Sequence, residues 1–372
     1  MKTILFVHSS DELYGSDRCL LAIVRGLPAS RRAVVVLPAD IPHPGPLSRE
    51  LTIAGAMVLH RRMLVLRRNE LTPRAIPRLL VAFALGAWTL ARVVRRERVT
   101  LVHSNTVAVI CGAFAALVTR RPHVWHVHEF LGDEPIIFRV PLRLLLRFIP
   151  GAVVANSRAT ARAIGSRKTR IIHNAVFTTM TGSRNQSNPP TVGIVGRLSP
   201  RKGISEALHA AALLRSSGLD FRLVLHGGPP PSQPRLGAGY EELAASLGVE
   251  KITRFAGDSE DPSAAYEDID ILLVPSQRPE PFGLAIIEGM AAGCAVVVTR
   301  NGGGSDELLD DGVTGLYCGR DPASIASALQ RLLLDSGLRS QLAQNAQNAV
   351  HERFSPDRYL AQFLQTYSEL EA

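Results

Sequence analysis

Two glutamates eight residues apart, Glu280 and Glu288, stand in the run Pro279-Glu280-Pro281-Phe282-Gly283-Leu284-Ala285-Ile286-Ile287-Glu288-Gly289-Met290-Ala291-Ala292-Gly293, just ahead of the apolar stretch Ala295–Thr299. The pattern predicts a short helix that opens at Phe282-Gly283. Glu280 then lies before its first turn and Glu288 about two turns further on, since a turn takes ~3.6 residues. A helix start presents unpaired backbone N–H groups and the positive end of the dipole, which suits a phosphate. One carboxylate can face a reacting group while the other holds a different part of the same ligand. A sugar nucleotide, with its sugar, diphosphate and ribose, has that layout. The plain alternative is two solvated glutamates flanking an ordinary helix, and against it several independent positions coincide.

Three further strings carry chemistry. In Gly193-Ile194-Val195-Gly196-Arg197-Leu198-Ser199-Pro200-Arg201-Lys202-Gly203, the side chains of Arg197 and Lys202 can grip one diphosphate, Arg by forking two oxygens and Lys as a point charge. Val124-Trp125-His126-Val127-His128-Glu129 ends an apolar strand, and alternation points His126 and His128 to one side. Strand ends in open α/β sheets face the ligand crevice. The loop His8–Arg18 leads from the first strand into an apolar helix, with Ser16 as a candidate N-cap and Gly15 free for close approach or positive φ. A plain strand-to-helix turn explains that loop equally well. His126, His128 and Glu129 also allow a zinc reading and Asp268-Ile269-Asp270 another metal motif, but no further ligands are recognisable.

The run around Glu280 and Glu288 resembles the Glu-x7-Glu motif of the retaining nucleotide-sugar glycosyltransferases of family 4. The resemblance implies the α/β GT-B fold: two Rossmann-like, doubly wound parallel-sheet domains facing a cleft. It implies that Glu280 contacts the transferred sugar near the reaction centre and that Glu288 binds the ribose hydroxyls. Where the family usually has Pro after the helix, this chain reads Gly293-Cys294-Ala295. The Arg197–Lys202 string is similar to the family's Gly-Arg-Leu-x3-Lys-Gly motif, which binds the donor diphosphate; Gly15, Phe282, Gly283 and Leu284 join that group. Gly196, Gly257 and Pro281 fall in the loops around sugar and nucleotide. His128 matches the family's histidine near the sugar best, with His126 second. In the first loop Tyr14 stands where the family has a Gly, so Gly15 alone carries over. Smaller matches follow in the family's order, among them Gly303-Gly304, a turn that could receive phosphate or sugar hydroxyls, with Glu307 after it.

The activity implied is transfer of a sugar from a UDP- or GDP-sugar to a hydroxyl of a glycan or lipid-linked acceptor, with retention, in exopolysaccharide, capsule or envelope-glycan synthesis. Glu280 and His128 are its catalytic residues, and no metal or other cofactor is required. A non-hydrolysing nucleotide-sugar epimerase and a non-catalytic nucleotide-sugar binding protein are the alternatives.

Beneath these residues, short apolar strands alternate with helices, the pattern of parallel sheets covered on both faces. Strands are expected at 3–7, 32–37, 57–59, 100–103, 124–128 and 152–155, with helices near 17–27, 45–54, 74–97, 106–118, 136–148 and 158–165. A second series of strands follows at 191–195, 221–225, 252–255, 271–274, 295–299 and 315–317. The polar stretch Thr178–Pro190 reads as a linker. The expected division is an acceptor domain over 1–178, a donor domain over 190–355, and a last helix within 356–372 that the resemblance carries back onto the first domain.

With 372 residues, 46% of them hydrophobic, the chain can bury two cores. Four cysteines without C-x-x-C spacing read as reduced core residues in a cytosolic setting. Met1–Val7 reads as a buried strand rather than a secretory signal. The most apolar segment, Leu79–Ala91, is shorter than the ~20 residues that span a bilayer. Residues 1–175 hold 26 Lys and Arg against 10 Asp and Glu, a net +16; the remainder hold 16 against 23, a net −7, and the two sum to +9. Clusters such as Arg61-Arg62, Arg67-Arg68 and Arg95-Arg96 suit an anionic membrane surface, hence a peripheral place on the inner face of the plasma membrane. Few aromatics and no nucleic-acid motif argue against nucleic acid. An Arg-rich composition that decorates ordinary helices explains any single cluster as well.

Overall fold

The computed structural model describes residues 1–67, 73–149, 151–177, 187–230, 233–259 and 263–372. Residues 178–186 of the linker and Arg68 of the basic clusters lie outside the described residues. The chain divides into two compact units, Met1–Phe177 with Pro356–Ala372, and Thr178–Ser355.

The first unit runs β1 (Lys2–Val7), α1 (Gly15–Arg25), β2 (Arg31–Pro38), α2 (Pro46–Ile53), β3 (Met57–Arg61), α3 (Ile76–Arg96), β4 (Leu101–Ser104), α4 (Ile110–Thr119), β5 (His123–Val127), α5 (Ile136–Phe148), β6 (Ala152–Ala155), α6 (Arg158–Ile164) and β7 (Thr169–Ile171). Its seven strands order β3-β2-β1-β4-β5-β6-β7, all parallel. Alternation along β1 shows why its apolar run is unbroken: Ile4 and Phe6 enter one core, Leu5 and Val7 the other, and all four are fully buried. Helices α1 and α2 cover the first face. The register line Val7–Ser104–Trp125–Val153 shows that α3, α4 and α5 share the opposite face.

The second unit runs β8 (Thr191–Val195), α7 (Ile204–Ser216), β9 (Arg222–His226), α8 (Leu236–Ser246), β10 (Thr253–Gly257), β11 (Ile271–Val274), α9 (Leu284–Ala291), β12 (Ala295–Thr299), β13 (Leu316–Cys318), α10 (Pro322–Leu334) and α11 (Ser336–Arg353). Its six strands order β10-β9-β8-β11-β12-β13, again parallel. The closing helix α12 (Pro356–Glu371) belongs to the first unit, where Tyr359, Phe363 and Tyr367, spaced by four, form one fully packed stripe on the Phe6 face.

Three local readings need correction. Strand β7 went unread because it is a three-residue, largely exposed edge. Helix α4 starts at 110, not 106, because 106–108 make loop bonds: Thr106 O accepts from Trp125 Nε1 at 2.8 Å, and the Val107 N–H donates to Glu129 at 3.3 Å. Helix α3 has 21 residues and, by length and composition alone, could cross a membrane. Its C-terminal half is core, however, with Leu90, Ala91, Val93 and Val94 buried on the sheet.

In both sheets the strand order reverses beside the first strand, between β1 and β4 and between β8 and β11. Ligands of open α/β sheets bind outside the strand carboxyl ends at such points.

Candidate functional site

In the second unit, that end of the sheet gathers most of the sequence candidates. Gly196 follows β8 at φ +140° and donates its N–H to His226 O at 2.9 Å. A Cβ there would sit 3.6 Å from Lys202 Cε, so the bare backbone flanks the lysine stem. Lys202, in the turn before α7, places Nζ 2.8 Å from Glu280 Oε1, which also accepts from Ser276 Oγ at 2.7 Å. Arg201 donates to Pro279 O at 3.1 Å and fixes the loop ahead of Glu280. Burial disfavours the Glu280 charge, but Lys202 and the Ser276 hydroxyl more than offset it and hold the carboxyl below its ordinary 4.5. Glu280 is therefore ionised and paired at neutral pH. Arg197 is exposed on the turn after β8, and Gly257 ends β10 at φ +73°, accepting from the Gly227 N–H at 2.7 Å.

The helix start opens as the sequence indicates: Gly283, at φ +110°, precedes Leu284, the first residue of α9. Pro281, Gly283 and Leu284 are half-buried, so their backbone is reachable, whereas the Phe282 ring is buried against Phe354. Phe282 thus has only its backbone to offer a diphosphate. Glu288 is 4% exposed, and its Oε2 accepts from Tyr266 Oη at 2.8 Å. The Gly303-Gly304 turn differs from its reading as a ligand receptor. The Gly304 N–H is spent on Glu280 O at 2.6 Å, and a Cβ on Gly303 would lie 2.4 Å from Glu280 N and O. That turn is a bed for the Glu280 backbone.

The carboxylates of Asp268 and Asp270 are also engaged. Asp268 pairs with His226 at 3.2 Å and with Arg254, and Asp270 accepts from the Thr191 N–H at 2.8 Å. Among the described residues no group of three or more His, Cys, Asp and Glu side chains could hold a metal ion.

In the first unit the carboxyl ends of β1, β4 and β5 converge on a buried polar chain. Ser16 is inside α1, not its cap: Tyr14 takes that place, and its N–H donates to Asp17 at 2.8 Å. Gly15 is the first helical residue and has no positive φ. Ser16 instead supplies its carbonyl, which accepts from Asn105 Nδ2 at 3.0 Å. That contact fixes the Asn105 amide, because a carbonyl can only accept. The same Nδ2 lies 3.1 Å from His8 Nδ1, which must then be bare, so His8 carries its proton on Nε2 and donates to Asp17. Asn105 Oδ1 faces His126 Nδ1 at 3.1 Å and His128 Nε2 at 3.4 Å, so both of those nitrogens are protonated. The bare Nδ1 of His128 is left as an acceptor for a hydroxyl.

Burial pushes His128 and His123 down to about 3, and holds His103 and His126 well below the ordinary 6.5, with their histidine neighbours adding to the effect. Burial opposes the Asp17 charge, but His8, Ser10 and the Tyr14 N–H prevail and lower it. Burial raises Glu129. From α12, Phe363 packs on the rings of His126 and His103 at 4.9 and 5.6 Å, and Tyr367 Oη lies 2.7 Å from His103 Nδ1. The rings of His126 and His128 do share a side, 3.9 Å apart.

Sequence reasoning missed His8, Asp17, Asn105, Ser276 and Tyr266 as parts of these sites. His8, Asn105 and Ser276 follow strand ends at the reversal points, a signal that was available; Asp17, in the first turn of α1, and Tyr266 carry none.

Two Rossmann-like parallel-sheet domains with these reversal-point sites define the GT-B class. Residues 14–179 match the family model described as Glycosyltransferase Family 4, and residues 178–349 match that of Glycosyl transferases group 1. The chain belongs with these family-4-type glycosyltransferases. A D-inositol 3-phosphate glycosyltransferase of Salinispora arenicola is 35% identical over 233 residues, 60% of this chain and 47% of that one. The lipopolysaccharide 1,2-N-acetylglucosaminetransferase of Salmonella typhimurium is 32% identical over 174 residues, 45% of each chain. The chain spans about half the length of the curated relatives it matches. Anabaena HepE in complex with UDP superposes with a TM-score of 0.83 at 25% identity, covering 99% of this chain and all (100%) of that one. Its complex with UDP and glucose gives 0.81 at 25%, covering 98% and 99%.

Proposed function

We propose that the protein transfers a sugar from a UDP-sugar to an acceptor hydroxyl with retention of anomeric configuration. The observation that carries this reading is the ionised Glu280 paired with Lys202 beside the start of α9, with Glu288 buried further along that helix. The UDP complexes of HepE support uridine as the base.

In this reading the bond from the anomeric carbon to the diphosphate oxygen breaks, and the acceptor oxygen bonds to that carbon on the same face. The acceptor proton passes to the departing phosphate, so no side chain serves as nucleophile. Lys202, Arg197 and the backbone N–H groups at Gly283 and Leu284 stabilise the diphosphate charge as it develops, and no metal is called on for that work. Glu280 holds sugar hydroxyls, Glu288 the ribose, and the bare Nδ1 of His128 accepts from a hydroxyl of sugar or acceptor. Gly196, Gly257 and Pro281 shape the loops around sugar and nucleotide. The acceptor is a glycan or lipid-linked glycan on the cytoplasmic side of an envelope, in exopolysaccharide, capsule or lipid-linked glycan synthesis.

The test is turnover of UDP-glucose, UDP-galactose and UDP-N-acetylglucosamine with lipid-linked glycan acceptors, the product anomer being read by NMR. An α-linked product whose formation is lost in Glu280→Gln is expected. A β-linked product, or undiminished turnover by Glu280→Gln, overturns the proposal.

A further inference from the structure

One face of the first unit is chemically unlike the rest of the molecule. Helices α3, α4 and α5 together carry seven arginines and no aspartate or glutamate. They lie on the same side of the sheet, yet much of their apolar surface is not in the core. Val81, Leu85 and Trp88 of α3, spaced as one helical stripe, are 59%, 58% and 57% exposed. In α5, Ile137, Val140, Leu144 and Phe148 form a second exposed stripe, and only Leu146 of its thirteen residues is buried. Leu117 and Val118 at the end of α4 are exposed as well. Scattered exposed apolar residues are ordinary, but two such stripes and an apolar helix end on one face mark an interaction surface.

Beside this face, between β3 and the C-terminal half of α3, lies a groove of about 550 Å³. Arg61, Arg92, Arg95 and Arg96 line it, over an apolar floor that includes Leu59 and Val93, and Arg92 rests on the Trp88 ring at 4.6 Å. Its one carboxylate, Glu97, is already paired with Arg32 at 3.0 Å. Apolar floor and cationic walls suit an amphiphile with an anionic head.

We propose that the α3–α4–α5 face docks on an anionic lipid bilayer, with the exposed stripes entering the interface and the Arg61–Arg92–Arg95–Arg96 groove taking a lipid phosphate. The charge argues for this occupant over a second copy of the chain. Residues 1–175 carry a net +16, so two such faces would repel, whereas each basic residue near an anionic leaflet contributes about 1 kcal/mol. A tryptophan flanked by arginines is the composition of a membrane-interface helix. Docking there is a property of the first unit and does not depend on the transfer reaction.

The test is co-sedimentation of the full chain with vesicles of phosphatidylcholine, alone or mixed with phosphatidylglycerol, at low and physiological salt. Binding to the mixed vesicles, weakened by salt, is expected. Trp88 emission should move to shorter wavelength on binding, since Trp125 is already buried. Arg92→Ala and Arg95→Ala should each lower partitioning about fivefold, the factor equivalent to about 1 kcal/mol. Leu85→Ser should lower it at either salt. All three positions are on the exposed half of α3 or in the groove, and unchanged thermal melts show that the variants fold. Equal binding to neutral and mixed vesicles, no binding to either, or a concentration-dependent dimer abolished by Leu85→Ser each overturns the proposal.

Discussion

The two units repeat one scaffold and fill it with opposite electrostatics. Each sheet reverses order beside its first strand, and each places its polar groups at the strand carboxyl ends of that point. The first unit puts neutral histidines there, His126 fully buried and His128 half-buried, held by Asn105 and by α12. The second puts a paired charge, Lys202 with Glu280, and the carboxylate of Glu288. The scaffold therefore decides where chemistry is done, and the loops after the strands decide which chemistry. A charged pair such as the second unit's suits a diphosphate and its leaving charge. A neutral network with one fixed acceptor nitrogen suits hydroxyls.

The sharpest way to break the contrast is to remove the charge from one side only. Lys202→Ala should lower turnover by roughly 100- to 1,000-fold, the cost of losing a positioned group for developing charge, and should leave the first unit's stability untouched. Equal losses of turnover in Lys202→Ala and of folding in the first unit would mean that the two sites are not separable.

Acid should distinguish the units next. A buried histidine with a lowered folded-state pKa costs nothing above the unfolded value of 6.5. Below it the unfolded chain takes a proton that the folded chain refuses, and stability falls toward about 3, by about 1.4 kcal/mol per pH unit for each such histidine. The Glu280 carboxyl, lowered in the folded state, keeps its contribution above 4.5 and loses it only as pH falls through its folded value. Both tryptophans, Trp88 and Trp125, are in the first unit, so their emission follows that unit alone. Its urea midpoint should drop between about pH 7 and about pH 5, within histidine's titration range, and a midpoint that stays put contradicts the neutral-histidine account.

Smaller effects test the supports. Gly303→Ala drives a Cβ into the Glu280 backbone and should cost about 1–3 kcal/mol of second-unit stability, with turnover falling alongside; calorimetric melts and rates check it. Asn105→Leu deletes both ends of the amide and should cost about 1–3 kcal/mol by leaving buried histidine N–H groups unmet, visible as a lowered Trp-emission midpoint. Tyr266→Phe removes one hydrogen bond to Glu288 and should weaken nucleotide binding by roughly tenfold or less, measured by titration.

Much of this architecture was legible in the residues. Unbroken apolar runs marked the strands because both faces of each sheet are covered, as Ile4 and Leu5 show by entering different cores. Gly283 and Leu284 marked the start of α9, and Lys202 and Glu280 were picked from separate strings before the fold brought them to 2.8 Å. The supports were not legible. Asn105 acts only because the Ser16 carbonyl orients it across 89 residues of chain, and Gly304 only because its N–H meets the Glu280 carbonyl. Such roles arise from tertiary pairing, and no local spacing announces them. The exposed stripe of α5 was equally hidden, since an apolar helix reads as core until its neighbours are known.

The most direct test of the central claim is calorimetric titration of UDP-, GDP- and ADP-sugars against the wild-type chain, Glu288→Ala and Lys202→Ala. Selective binding of a UDP-sugar, weakened in both variants, is the predicted result. Binding that neither variant weakens, or no binding by any of these donors, contradicts the assignment of the second unit as a nucleotide-sugar site.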